Sequence, residues 1–241
     1  MDFLIAVVYG FLQGLLEWLP ISSQGNIIGL FSFIGSTPAD ALKLAIFLHA
    51  GTMFAAIIYF RKELVEILKW KDKEKKELGK FVFIATVSTA ITGIPMYLFL
   101  DNVLSYGISA VLLLLALMLI ITGILQLKKI HKTDGKLNKR NAIFAGLAQG
   151  FSILPGISRS GITTSTLIFR GFDAEKSFKL SFLMSIPAVF FAQILFGITK
   201  GFVIDSSTIL ALIVAFIVGL ASINILFRIV KKVKKRTYWK L

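Results

Sequence analysis

Apolar residues in this chain come in long uninterrupted blocks, and block length, more than periodicity, predicts its elements. Five runs, 41–60, 80–100, 105–127, 177–199 and 207–228, each supply about 20 mostly apolar residues, the length a helix needs to cross a bilayer. Two further apolar stretches, 3–35 and 142–171, are broken near their middles by "EWLPISSQGN" and "SILPGISRSG". Proline and glycine there forbid a continuous helix. Irregular backbone survives at membrane depth only when buried in protein or lining a wet cavity. Each stretch therefore predicts a helix–turn–helix hairpin that enters the membrane and returns to the side it came from. The mixed run 61–80, "RKELVEILKWKDKEKKELGK", predicts an amphipathic helix lying in the interface. Small residues inside the spans, as in "TVSTAITG" (86–93), suit close helix packing.

The two broken stretches are copies of each other. An ungapped shift of 136 residues lays Ala6 on Ala142, Gly10 on Gly146, Gln13 on Gln149 and Gly14 on Gly150. It also lays Ile21 on Ile157, Ser22 on Ser158 and Gly25 on Gly161. Past the break the register holds at Phe33 and Phe169, Gly35 and Gly171, Lys43 and Lys179, Leu44 and Leu180, and Phe54 and Phe190. Matched glycine and polar positions argue for an internal repeat over coincidence between oily segments. The reading is an all-α polytopic membrane protein, one integral membrane domain over 1–241. Its repeats cover approximately 1–127 and 142–241, each a re-entrant hairpin followed by spanning helices. Three spans separate the hairpins, an odd number, so the second copy is inverted relative to the first.

Composition agrees: 56% of the 241 residues are hydrophobic and mean hydropathy is +0.81. The chain has no cysteine, which excludes a disulfide framework and a thiolate metal site. His49 and His131 lie too far apart in sequence to suggest a histidine-rich one. The N-terminus lacks a basic region, and its apolar run is interrupted by Glu17 and Pro20, so no cleavable signal is expected. Charge then sets orientation. Of 27 Lys and Arg, 24 fall in 61–80, 128–140, 170–179 and 228–240, leaving Lys43, Arg159 and Lys200. Cytoplasmic loops are enriched in these residues, which places those segments inside and the N-terminus, the "DNVLSY" turn and 198–206 outside. The net charge of +14 is thereby assigned to loops facing anionic lipid, and nucleic acid is not expected as a partner. In this orientation one hairpin enters from each side, and their tips meet near the midplane.

That arrangement explains an arginine in oil. Arg159 facing lipid would cost roughly 2.5–3.5 kcal/mol or more, so a partner is required, and Glu17 on the other hairpin is the candidate. Ser22, Ser23, Ser158 and Ser160 surround the pair, with Thr163 just beyond. A guanidinium among hydroxyls and free turn N–H groups makes a phosphate cradle. The competing reading is a purely structural Arg159–Glu17 ion pair pinning the hairpins together.

At this point "PGISRSGIT" (155–163) resembles the signature P-G-x-S-R-S-x-x-T of the undecaprenyl-pyrophosphate phosphatases, also called bacitracin-resistance proteins. "QGLLEWLPISSQGN" (13–26) is similar to that family's second motif, two glutamates at i, i+4 followed by LPxSSxGH. The resemblance implies removal of the terminal phosphate from a polyprenyl diphosphate, in a plasma-membrane site open to the outer face. It implies a divalent cation, Mg²⁺ or Ca²⁺, held by Glu17 and Gln13. Glu17, Ser23 and Arg159 would be catalytic, with Ser23 or a water as nucleophile. Ser22, Asn26, Gly156, Ser158, Ser160 and Thr163 would bind substrate. A prenyl tail would lie between spans, and a second copy of the chain is a further candidate partner. Two positions depart from the pattern: Gln13 replaces a glutamate and Asn26 replaces a histidine, and asparagine accepts no proton. His49, inside the span 41–60, is a conceivable replacement base, although such histidines more commonly bond a backbone carbonyl. The family pattern also has a sixth span, where this sequence offers five. Beside the phosphatase stand two other readings: a prenyl-phosphate transporter or flippase, and a binding protein without turnover.

Overall fold

The computed structural model describes residues 2–33, 37–127 and 134–238. Gly35, His131, the start of the basic segment 128–140 and the last residues of the tail lie outside them. Among the described residues the chain forms ten α-helices and no strand: α1 Phe3–Leu16, α2 Ser23–Phe33, α3 Pro38–Tyr59, α4 Arg61–Leu68, α5 Lys73–Ser105, α6 Ile108–Leu127, α7 Lys139–Gly150, α8 Arg159–Phe169, α9 Ala174–Thr199 and α10 Ser206–Tyr238. A single 3₁₀ turn, Phe151–Ile153, follows α7. Five helices are long and apolar enough to cross a membrane, α3, α5, α6, α9 and α10, and each matches one of the five expected runs, α3 ending one residue short of 60 and α6 starting three residues after 105.

Helix starts follow local capping chemistry. The side chains of Asp2, Thr37, Asp72, Asn138, Ser158 and Asp173 each accept a hydrogen bond from a backbone N–H in the first turn that follows, satisfying a donor that the helix itself leaves free. One of these caps corrects the expected interfacial helix over 61–80. The segment is split: α4 ends at Leu68, Trp70 turns the chain at φ 50°, and Asp72 starts α5 by accepting from Lys75 N at 2.8 Å. The second half of the basic run is thus the first turns of a spanning helix. α4 itself is held by Glu63, which pairs with Lys75 on α5 and with Lys179 on α9, the latter at 2.7 Å. Burial pushes the Glu63 carboxyl up, but the Lys179 and Lys75 ammonium groups more than offset this and hold it below the usual carboxylate range.

Side chains are distributed for a lipid solvent. Large apolar residues point outward along the spans, Phe83, Ile91, Leu113, Ile120, Phe191 and Ile217 among them, while Gln13, Thr52, Gln149, Thr163, Ser177 and Ser181 are buried. Where the apolar medium is outside, small and polar residues form the helix contacts. Two buried clusters organise the interior. One gathers Trp18, Phe81, Phe182, Met184 and Phe227; the other gathers Tyr9, Ile27, Leu48, Leu115 and Ile157.

The two broken stretches are positioned by matching devices. α1 lies on α10 through Gly10 and Gly14: a Cβ on Gly14 would sit 2.7 Å from Gly219 N and 2.8 Å from Ala215 O. Ser222 of α10 donates to the Gly14 carbonyl at 2.6 Å. α7 lies on α5 through Gly146 and Gly150, where a Cβ on Gly150 would meet Gly93 N at 2.6 Å. Thr89 and Thr92 of α5 donate to the carbonyls of Gly146 and Leu147 at 3.1 and 2.8 Å. The glycines that correspond under the 136-residue shift therefore do the same work on different spans.

Because that contact is backbone against backbone, Gly14→Ala has no side chain to displace. Overpacking of this kind costs about 1–3 kcal/mol, and we expect a clear fall in the melting temperature of the detergent-solubilised protein. Gly29→Ala, where a Cβ meets nothing within 4 Å, should leave it unchanged or slightly raised.

Candidate phosphate site

Each broken stretch contributes a helix end and a turn. α1 stops at Leu16 and the next residue, Glu17, bonds its N–H back to Gln13. Leu19, Pro20 and Ile21 then carry the chain to Ser23, the first residue of α2. On the other stretch the chain turns at Gly156, whose φ of +99° suits glycine and where a Cβ would lie 2.6 Å from Leu115 O. Thr122 of α6 fastens this turn, donating to the Gly156 carbonyl at 3.0 Å and accepting from Ser158 N at 3.2 Å. Ser158 caps α8, accepting from Gly161 N at 3.1 Å, and Arg159 is the first residue of that helix.

The turns meet. Ser160 Oγ donates to the Leu19 carbonyl at 2.7 Å, and Gln126 of α6 donates to the Pro20 carbonyl at 2.6 Å. Trp18 donates its indole N–H to the Gly219 carbonyl at 2.8 Å, and Gly219 lies halfway along the membrane-length part of α10, Ser206–Lys232. His49, near the middle of α3, also reaches the site. The site is therefore at half the depth of the spanning helices.

At its centre Arg159 Nη2 lies 2.5 Å from Glu17 Oε1, and Arg159 Cζ stands 5.7 Å from the Trp18 ring. The other carboxylate oxygen, Oε2, accepts from Gln13 Nε2 and from Ser23 Oγ, both at 2.8 Å. His49 Nε2 is 3.3 Å from the same oxygen. Glu17 is 5% exposed. A buried charge is tolerable only when paired and hydrogen-bonded, and four side chains share that task here. Two atoms stay unsatisfied although buried: Arg159 Nη1, a donor, and Gln13 Oε1, an acceptor.

Beside this centre is a small open cavity lined by Glu17, Ser22, Ser23, His49, Ser158 and Arg159 together with Ile21, Gln24, Ser152 and Ile157. Of the residues expected from sequence, five line it. The others are placed close by with different partners. Ser160 faces the Leu19 carbonyl. Thr163 donates to Arg159 O at 2.7 Å and meets Ser181 of α9. Asn26 is exposed and commits its amide to the Ser22 carbonyl at 2.8 Å. Gly156 shapes the turn, and Gln13 backs the carboxylate. His49 enters the cavity while also bonding the Ala45 carbonyl through Nδ1 at 2.5 Å. The expected bond to a backbone carbonyl is therefore present, and the other ring nitrogen faces the cavity. Its rarity inside a span was the available signal; nothing in sequence marked Gln24 or Ser152.

The donor set can be tested against the implied cation. Hard divalent cations take oxygen ligands, and Mg²⁺ commonly shares them with substrate phosphates. Gln13 Oε1 is such an oxygen, buried and without a partner. Glu17 is not available in the same way, because its two oxygens already serve Arg159, Gln13 and Ser23. Among the described residues no cluster of three acidic or histidine side chains offers a cage. The set fits a cation that would take most of its ligands from phosphate oxygens, and Gln13 is the residue that would hold it.

Thr122 joins α6 to this turn through both donor and acceptor. We expect Thr122→Val to destabilise the protein by about 1–3 kcal/mol, the range for a buried backbone group left unpaired, read as a lower melting temperature. Thr122→Ser should retain most of the stability.

Comparison with known proteins agrees with this geometry. Residues 6–240 match the family described as bacitracin resistance protein BacA. A protein of Methanococcoides burtonii named undecaprenyl-diphosphatase is 40% identical over 95% of this chain and 91% of its own. Proteins of the same name from Haloarcula marismortui and Methanothrix thermoacetophila are 38% and 40% identical, over 95% and 97% of this chain and 90% and 91% of theirs. With the match running through both glycine seams and both turns, the chain belongs to the BacA bacitracin-resistance family.

Proposed function

We propose that the chain is a membrane phosphatase that hydrolyses undecaprenyl diphosphate to the monophosphate carrier and inorganic phosphate. The observation that carries this reading within the site is Arg159 Nη1. A structural ion pair would be complete with Nη2 on Glu17, yet Nη1 is buried without a partner, next to a cavity with hydroxyls and the N-termini of α2 and α8. Such a donor, aided by helix N-termini, suits a phosphate oxygen.

Phosphoryl transfer asks the protein mainly for positioning and charge stabilisation. Arg159 binds the diphosphate through Nη1 while Nη2 keeps Glu17 in place. Ser22 and Ser158 supply neutral hydroxyls at the cavity wall. Ser23 Oγ–H already donates to Glu17, so the carboxylate is the acceptor for the proton lost when Ser23, or a water in its place, attacks the terminal phosphorus. The bond to the bridging oxygen breaks and the prenyl monophosphate leaves; where Ser23 is the nucleophile, a water then takes the phosphoryl group from its Oγ, releasing inorganic phosphate and restoring the hydroxyl. A divalent cation at Gln13 Oε1 would neutralise charge on the phosphates. A flippase would use the same cradle but has no use for a hydroxyl held on a carboxylate, so hydrolysis is the better reading.

The finer architecture belongs to this proposal: two inverted repeats, approximately 1–127 and 142–241, whose broken helix pairs are re-entrant hairpins entering from opposite sides. The equivalent seams, α1 on α10 and α7 on α5, support it, as does the concentration of Lys and Arg at one set of loop positions. In this orientation the basic loops are cytoplasmic in the plasma membrane and the active site opens outward.

Purified protein should release phosphate from a C55 diphosphate when Mg²⁺ or Ca²⁺ is present. Arg159→Ala and Glu17→Gln should each reduce kcat/KM by at least about 10²-fold, in line with loss of a charge-stabilising group. Absence of release by wild type under every metal condition would remove the enzyme reading. Orientation can be tested separately because the chain has no cysteine. A single cysteine at Asn102 or Val203 should react with a membrane-impermeant maleimide in intact cells, and one at Lys69 only after lysis; the reverse pattern would invert the topology.

A further inference from the structure

Of the titratable side chains that line the cavity, the mechanism leaves His49 without a task. Its side chain is 20% exposed; one ring nitrogen is fixed and the other faces Glu17. Nδ1 lies 2.5 Å from the Ala45 carbonyl oxygen. That oxygen only accepts, so Nδ1 carries the hydrogen. In the neutral ring the bare nitrogen is then Nε2, which faces Glu17 Oε2 at 3.3 Å from within the cavity. A histidine fixed by a carbonyl on one nitrogen presents the other in a defined direction for proton exchange. The backbone supports this aim: α3 approaches α10 at Gly51, where a Cβ would stand 2.6 Å from Leu212 O, which limits how α3 can turn about its axis.

Building on the phosphatase reading, we propose that His49 is a catalytic residue of this site, the proton relay behind Glu17. When the attacking Ser23 hydroxyl or water forms its bond to phosphorus, its proton goes to Glu17 Oε2. From there it passes to His49 Nε2, giving an imidazolium with hydrogen on both nitrogens and restoring the carboxylate. The bridging P–O bond breaks with its electron pair on the departing monophosphate, and His49 returns the proton to a phosphate product. If Ser23 attacked, a water then displaces its Oγ from phosphorus, giving inorganic phosphate and a proton that restores the hydroxyl. The relay has a purpose set by the geometry. Glu17 also anchors Arg159, and a carboxyl that kept the proton would release the guanidinium while charge is still developing on the phosphate. Asn26 cannot perform this task, because its amide accepts no proton and is committed to the Ser22 carbonyl.

The test is a kinetic comparison of wild type, His49→Gln, His49→Ala and Arg159→Ala on C55 diphosphate, with melting temperature as a control. For a relay, His49→Gln, similar in size, lowers kcat by about 10²–10⁴-fold with KM within about threefold and melting temperature within a few degrees. Added imidazole then restores part of kcat in His49→Ala but none in Arg159→Ala. If His49→Gln keeps more than about a third of wild-type kcat while Arg159→Ala is inactive, the relay is wrong and the phosphatase reading stands. A loss of activity that tracks melting temperature, with KM rising and no response to imidazole, assigns His49 to structure and also overturns the relay. Should wild type itself release no phosphate, the phosphatase reading fails and the relay falls with it.

Discussion

One ion pair ties this protein together: the guanidinium of Arg159 against the carboxylate of Glu17, half-way through a chain of membrane-length helices. Neither group is tolerable there alone, since removing one partner of a buried pair typically costs 3–5 kcal/mol. The demand that they meet brings the two broken stretches into register. Leu19 then becomes the acceptor for Ser160 and Ser158, and the two helix N-termini come to face one cavity. Trp18, beside Glu17, joins one buried cluster, while Ile157, two residues from Arg159, joins the other. The site is therefore the junction of both halves of the interior, and its chemistry and the cohesion of the fold share the same atoms.

Stability and reactivity pull on the pair in different directions. A carboxylate buried for cohesion alone would be best served by a fully paired guanidinium. Here Nη1 and Gln13 Oε1 are left without partners, each a cost of roughly 1–3 kcal/mol when no ligand fills it. Uncompensated donors and acceptors on opposite sides of one carboxylate are what an anion and its counter-cation would satisfy together. On the proposed reading, substrate binding would relieve that deficit.

Much of this could be read from the residues because charges and glycines are rare in oil and stand out. Glu17 and Arg159 were conspicuous for that reason, and the five spans followed from run length. The 136-residue correspondence stands out because Gly10, Gly14, Gly146 and Gly150 face backbone, where only glycine fits. What escaped the reading depended on helix phase and on neighbours distant in sequence. Ser160 and Thr163 neighbour the arginine in sequence, and α8 sets Ser160 against the Leu19 carbonyl and Thr163 against Ser181. Asn26 sits a turn beyond Ser22 on α2 and faces away from the cavity. The approach of His49 to Glu17 follows from how α3 rests on α10, which no local pattern encodes. The division of 61–80 rests on a single residue, Asp72, whose capping side chain outweighs the charge pattern on either side.

The glycine seams have a mechanical meaning. Helices docked through side chains can slide, because rotamers reshuffle and re-pack; helices docked through carbonyls and amides have no such soft coordinates. α1 with α10, and α7 with α5, are each locked by backbone contact and by a serine or threonine clasp, so each pair behaves as one rigid plate. α6 has the smallest share of its window buried among the spanning helices; it meets the second turn where Leu115 O approaches Gly156 and fastens both turns through Thr122 and Gln126. The broken stretches that carry the arginine and the carboxylate are thus seated against backbone, which leaves their aim little room to drift.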